Sequence, residues 1–209
     1  MPEERSRLAR AIADYIGVQR VNADRPEHRV NLATLYLRQH RFAEAEAEFT
    51  AARSLDPAFA PADVGLAQLY AQQGRDGDGE RVLRAALTRL PDNADVHHAL
   101  GLNLVRQRRP ADALLALARA AALDPANARF AYVHAVALNA AGRTDEAIRT
   151  LEASHARHPT DRDTLLALFT ITRDAGLTES TVKWAERLIA IDPSARPLLE
   201  PLRQTPPRQ

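Results

Sequence analysis

Cysteine is absent from the 209 residues, which excludes disulfides, thiolate chemistry, cysteine-ligated zinc and covalent haem attachment within this chain. Lysine is almost absent too: Lys183 stands alone among 28 basic residues, the rest being arginine. We read that bias as genome composition. Because 28 basic side chains meet 27 acidic ones, for a formal charge of +1, no global basic field exists to draw in nucleic acid or an anionic membrane. Aromatic residues make up 5%. β-Branched residues are sparse while Ala and Leu dominate, so the composition points to an all-α protein. Long apolar runs are missing as well. The most apolar stretch, ALLALARAAAL at 113–123, is interrupted by Arg119 and falls far short of the roughly 20 residues that span a bilayer. The start, MPEERSRLARAIADYIG, lacks the uninterrupted apolar segment of a secretory signal, so a cytoplasmic chain is expected as written. Neither a phosphate-binding glycine motif, nor a nucleophile elbow, nor a pair of catalytic carboxylates is present; a non-catalytic protein without cofactors is expected.

What the sequence does have is proline at a fixed step. Pro57, Pro91, Pro125, Pro159 and Pro193 stand 34 residues apart, in the contexts SLDP, TRLP, ALDP, ARHP and AIDP. A proline deep inside a helix costs about 3 kcal/mol, so these prolines, and Pro61 with them, are expected between helices. Other columns keep the same step. Leu32, Leu66, Leu100, His134 and Leu168 are followed by Ala33, Ala67, Gly101, Ala135 and Phe169, and then by Tyr36, Tyr70, Leu104, Leu138 and Thr172. Later in each period come Ala45, Gly79, Ala113, Ala147 and Thr181; Phe49, Leu83, Leu117, Leu151 and Ala185; and Ala52, Ala86, Ala120, Ser154 and Leu188. Apolar spacings of three and four mark two amphipathic helices per period. Small columns let the helix axes approach, and the large ones fill the groove. Gly74, Gly142 and Gly176 fall where the first helix must reverse, a position that favours positive φ.

This pattern resembles the tetratricopeptide repeat family, a 34-residue helix-turn-helix unit. The resemblance implies a right-handed superhelical αα-solenoid: units at 26–59, 60–93, 94–127, 128–161 and 162–195, an N-terminal capping helix over 1–25, and a short C-terminal cap and tail over 196–209. The cap face would carry Leu8, Ala11, Ile12, Tyr15 and Val18; the C-terminal cap would pack Leu198, Leu199 and Leu202 near Trp184. Departures from the family pattern are visible. The large aromatic early in the first helix is replaced by Arg29, Asp63, His97, Ala131 and Leu165, and in the last unit Phe169 and Leu188 occupy small columns.

Members of this family present the first helix of each pair on a concave wall. Projected onto it, the chain offers Val30, Thr34, Leu37, Val64, Gln68, His98, Leu102, Val105, Tyr132, Val136, Asn139 and Leu166 as partner-binding candidates, about a third of which are expected to pack between helices instead. The wall is mostly apolar and suits an amphipathic helix, an extended apolar peptide, or another part of the same polypeptide. Chaperone-binding members grip a terminal carboxylate with lysine, arginine and asparagine; the matching places here are Val30, Thr34, Gly65, Asp95 and Ala99, so that activity is not expected. His97 with His98, and His155 with His158, lack the further ligands that would complete a metal site. His134 reads as a core imidazole hydrogen-bonded to a neighbour. RDGDGE at 75–80 lacks the later ligands of a calcium loop and reads as an interhelical turn.

Three segments, NADRPEHRVNLATLYLRQHRFAEAEAEF, DNADVHHALGLNLVRQ and NARFAYVHAVALNAAGRTDEAI, are also similar to the repeat module C-terminal to bacterial multihaem c-type cytochrome regions. The leading expectation is thus a protein-interaction scaffold. The cytochrome-like resemblance implies instead an accessory module of an electron-transfer protein, periplasmic if excised from an exported parent. Self-association through the apolar wall or an end helix is a third reading.

Overall fold

In the computed structural model, residues 13, 14, 16–18, 21 and 24–199 are described. Most of the expected N-terminal cap (Leu8, Ala11, Ile12 and Tyr15) and Leu202 lie outside them. Two compact units divide at 108/109. The first holds α1 (Pro26–Arg38), α2 (Phe42–Leu55), α3 (Ala60–Gln72), α4 (Asp76–Arg89) and α5 (Ala94–Arg106). The second holds α6 (Pro110–Leu123), α7 (Ala128–Ala140), α8 (Thr144–Arg157), α9 (Arg162–Asp174), α10 (Thr178–Ile191) and a 3-10 helix, Pro193–Leu199. Odd-numbered helices have 13 residues and the even-numbered ones from α2 to α10 have 14. The 34-residue period is thereby realised as helical hairpins.

Local chemistry sets each boundary. Every even helix ends two residues before a periodic proline, and Asp56, Asp124 and Asp192 each accept a backbone N–H from two residues on, closing the turn. The N-termini of α5, α7 and α9 are capped by Asn93, Asn127 and Asp161 side chains. Even helices start differently. Arg41, Arg75, Arg109 and Arg143 precede α2, α4, α6 and α8, and each pairs with an acid three residues on at 2.8, 2.6, 2.5 and 2.6 Å. These carboxylates sit in the first helical turn, where the macrodipole favours negative charge.

Pro61 departs from expectation: it lies in the first turn of α3, where its missing N–H has no helical partner to lose. RDGDGE likewise opens α4 rather than forming a free turn, and its acids are engaged: Asp76 by Arg106 and Asn103, Asp78 by Arg75 and Arg81, Glu80 by Arg84. A left-handed residue recurs every 34 positions, after α1, α3, α5, α7 and α9. Gly74, Gly142 and Gly176 take this conformation as expected at φ 70°, 77° and 73°, but His40 and Arg108 adopt it too, at 57° and 58°.

In the first unit Leu32, Ala33, Tyr36, Leu37, Ala45, Phe49, Leu66 and Leu69 form the core, with Ile16 packed against it and Val18 exposed. The early-aromatic column is filled by polar chemistry here. Asp63, 1% exposed, meets Arg89 at 2.5 Å and Arg53 at 3.7 Å; Arg29 meets Glu48 at 2.6 Å; and the His97 ring contacts the Pro91 carbonyl at 2.8 Å. Burial raises the Asp63 carboxyl above its ordinary range, against the pull of Arg89 and Arg53.

The second unit's core joins Ala135, Leu138, Ala147, Leu151, Leu165, Leu168, Phe169, Trp184, Ala185 and Leu188, with Leu198 and Leu199 of the 3-10 helix packed against it. Its last hairpin exchanges volume between neighbouring columns. Where the first hairpin has Ala33 before Tyr36 and Phe49 before Ala52, the last has Phe169 before Thr172 and Ala185 before Leu188, all four buried. The bulk is conserved while its position shifts by three residues, which is how a well-packed interior tolerates the change. The buried Thr172 hydroxyl donates to the Leu168 carbonyl at 2.7 Å, and Thr181 donates to the Leu177 carbonyl at 2.9 Å, so neither adds an unpaired polar group.

Candidate functional site

Odd helices line up within each unit: α1 packs beside α3, α3 beside α5, and, in the second unit, α7 beside α9. The candidate residues on these helices form two separate sets.

In the first unit, Val64 and Leu102 are half-buried, and Gln68 and Val105 are exposed. Val30 is half-buried against the core, and Thr34 returns its hydroxyl to the Val30 carbonyl at 2.8 Å. Leu37 and His98 are 3% and 9% exposed, so they support the wall from behind. Gly65 is buried as well. A Cβ there would fall 2.1 Å from Cε1 of Phe49, so the ring occupies the space that a clamp side chain would need.

The second unit brings the candidates together. Tyr132, Val136 and Asn139 of α7 and Leu166 of α9 line a single cleft of about 290 Å³, with Asp163, Ala167, Thr170 and Ile171 completing it. Ala167 and Ile171 are buried and form the floor. Tyr132 and Leu166 are half-buried and pack on the core, whereas Val136 is 44% exposed. From Asp163 to Ile171 the cleft follows α9 for about 12 Å at 1.5 Å per residue. Its polar groups are placed around this apolar strip. The Asn139 side-chain carbonyl accepts the Thr144 hydroxyl at 3.0 Å, which leaves its amide N–H groups for the cleft.

Thr170 was legible in the sequence, since it continues the column Thr34, Gln68, Leu102 and Val136 at the 34-residue step. Asp163 and Ala167 continue the clamp columns of Asp95 and of Gly65 and Ala99 at the same step, whereas Ile171 follows a column the wall projection did not include. The histidines do other work. His134 is half-buried, with Arg143 and Glu146 as charged neighbours, rather than a hydrogen-bonded core imidazole; burial, then Arg143, depresses its pKa. His155 packs edge-on against Trp184 at 5.3 Å, and its pKa is lowered by burial, Arg187 and Lys183. Among the described residues no group of three His, Asp or Glu side chains could hold a metal ion. No helix of theirs is long and apolar enough to cross a membrane.

Two profiles described as tetratricopeptide repeat match the sequence, one over residues 36–102 and the other over 3–58 and 98–162. The chain belongs to the tetratricopeptide repeat (TPR) family. No curated protein sequence matches it. Among solved structures, this TPR chain is similar to YrrB, described as a TPR protein with an unusual peptide-binding site. The two share 22% identity over 90% of this chain and 97% of that one, with a TM-score of 0.63. It is similar also to MamA, at 18% identity over 82% and 94% of the two chains and a TM-score of 0.65. A third is PilF of Pseudomonas aeruginosa, at 18% identity over 88% and 85% and a TM-score of 0.71. At these identities the likeness concerns the TPR fold.

Proposed function

We propose that this TPR protein is a non-catalytic scaffold that captures a segment of a partner protein on the odd helices of its second unit. The observation that carries the reading is the α7/α9 cleft: four side chains singled out for exposure on a repeat wall, Tyr132, Val136, Asn139 and Leu166, line one apolar depression. Apolar concavities with a few polar groups at the margin are the usual form of a binding site. The peptide-binding site named for YrrB supports the same use of the fold. On this reading residues 26–195 comprise five successive repeat units, and the first unit presents exposed Gln68 and Val105 with half-buried Leu102 on its own odd helices.

A displayed library of random peptides selected on the wild-type chain, then on Leu166→Asp, tests the proposal. Leu166 is half-buried, so the variant is first checked for unchanged helicity. Enrichment on the wild type that is lost on Leu166→Asp is the expected result. Enrichment that survives the substitution would place the binding surface elsewhere.

A further inference from the structure

The cleft carries polar groups that the chain itself does not use, and they constrain what can lie there. This inference rests on the reading of the wall as a docking surface and names the chemistry of its occupant. Four groups matter. Among the described residues the Thr170 hydroxyl has no hydrogen-bond partner, whereas those of Thr34, Thr150, Thr172 and Thr181 bond the carbonyl four residues back. Tyr132 likewise presents a phenolic hydroxyl with no hydrogen-bond partner among the described residues, and Asn139 keeps its amide N–H groups once Thr144 has taken its carbonyl. Asp163 contributes an exposed carboxylate that forms no salt bridge among the described residues: the adjacent Arg162 is paired with Asp192 at 2.8 Å, which raises its pKa, and Asp163 lies only near enough to add to that rise.

These groups are hydrated when the cleft is open, and any occupant that covers the apolar strip takes them out of water. An amphipathic helix has its backbone donors and acceptors satisfied internally, so it would leave the hydroxyls and amide unpaired, a loss of roughly 1–3 kcal/mol for each one buried. An extended segment offers a backbone N–H and C=O at every residue and places alternate side chains on one face. At about 3.3 Å per residue, three to four extended residues match the 12 Å strip. The Asp163 carboxylate at the α9 N-terminal end sets the charge: a cation there gains a partner, whereas an acidic residue is repelled.

We propose that the α7/α9 cleft binds an extended apolar segment carrying a lysine or arginine at the end that meets Asp163. An amphipathic helix and an acidic segment are the occupants the geometry disfavours.

The test uses blocked synthetic peptides and the full chain. One set holds Val-Leu-Thr-Val flanked by serines with lysine before or after it. The second replaces lysine by glutamate. The third is an Ala-rich helical peptide presenting Leu and Val at spacings of three and four, also with lysine. Affinities come from fluorescence anisotropy and the site from amide chemical-shift mapping. Expected is binding of an extended lysine peptide with shifts at α7 and α9, about tenfold weaker binding of its glutamate counterpart, and loss of that tenfold preference in Asp163→Asn. Asn139→Ala weakens both extended peptides and leaves the helical one unchanged. Equal affinity of lysine and glutamate peptides, preference for the helix, or no binding of either lysine peptide at millimolar concentration would each overturn the inference. If the helical or acidic peptide binds at least as tightly as the extended lysine peptide, with shifts at α7 and α9, docking on the wall stands and only this occupant falls. Shifts confined to other surfaces remove the wall reading itself.

Discussion

Gly65→Ala should destabilise the chain even though alanine is the better helix former. In an exposed helix interior the change gains about 1 kcal/mol. At this site, however, an added Cβ would stand 2.1, 2.5 and 2.7 Å from Cε1, Cζ and Cδ1 of Phe49, against the 3.5–4.0 Å of an ordinary carbon contact. The ring would have to retreat by more than about 1 Å, yet it is 1% exposed and held among Leu32, Tyr36, Leu66 and Leu69. Overpacking of this kind costs about 1–3 kcal/mol; at a separation as short as 2.1 Å the upper half of that range applies, so after the helix-propensity gain of about 1 kcal/mol the net loss is about 1–2 kcal/mol. Phe49→Val removes Cδ1, Cε1 and Cζ together and creates the space the methyl group needs. In that background Gly65→Ala should become neutral or stabilising, a coupling of about 1–3 kcal/mol in a double-mutant cycle. Urea unfolding followed by circular dichroism measures all four variants. An equal effect of Gly65→Ala in both backgrounds, or stabilisation of the wild type by the full helix-propensity gain, would refute the packing of α2 against α3.

Two further predictions concern the turns and the histidines. Arg108 holds a left-handed φ of 58° that glycine adopts freely, so Arg108→Gly should stabilise by about 0.5–1 kcal/mol and Gly142→Ala should destabilise by about 1 kcal/mol, read as shifts in denaturant midpoint. His134 and His155 have folded pKa values below the ordinary 6.5, so the unfolded chain binds their protons more tightly. Their contribution to stability is present above about pH 6.5 and is lost as pH falls toward the depressed values. The thermal midpoint should therefore drop between pH 7 and pH 5, and His134→Leu should flatten that slope; an unchanged slope would contradict the burial of the imidazole.

The repeat was legible because its signals are local and periodic. Prolines at one step fix the helix ends, and the glycine turns fix three of the reversals. His40 and Arg108 could not be read the same way, because QHR and RRP show no glycine and only the register of the hairpin forces them into the left-handed region. Asp63 is a similar case. Its burial depends on Arg89 and Arg53 arriving from other helices, which no neighbouring residue announces. The last hairpin looked irregular column by column, but Phe169 with Thr172 and Ala185 with Leu188 keep the summed volume of each pair. On the wall, helical periodicity identifies the outward face of each helix but not the depth of each residue on it. That is enough to bring Tyr132, Val136, Asn139 and Leu166 into one cleft and not enough to separate them from buried Leu37 and His98. Asp163 and Thr170 matter through what they lack in partners, which only the folded arrangement reveals.

Where a partner lands distinguishes the cleft from the rest of the surface. A photo-crosslinking residue placed at Val136, in the cleft and 44% exposed, and separately at Leu115 on α6, 73% exposed, compares the wall with a more accessible apolar position outside the cleft in the same unit. With a bound peptide from the display selection, crosslinking from position 136 and none from 115 is the predicted result. Crosslinking from 115 with none from 136 would contradict the assignment of the α7/α9 cleft as the binding site.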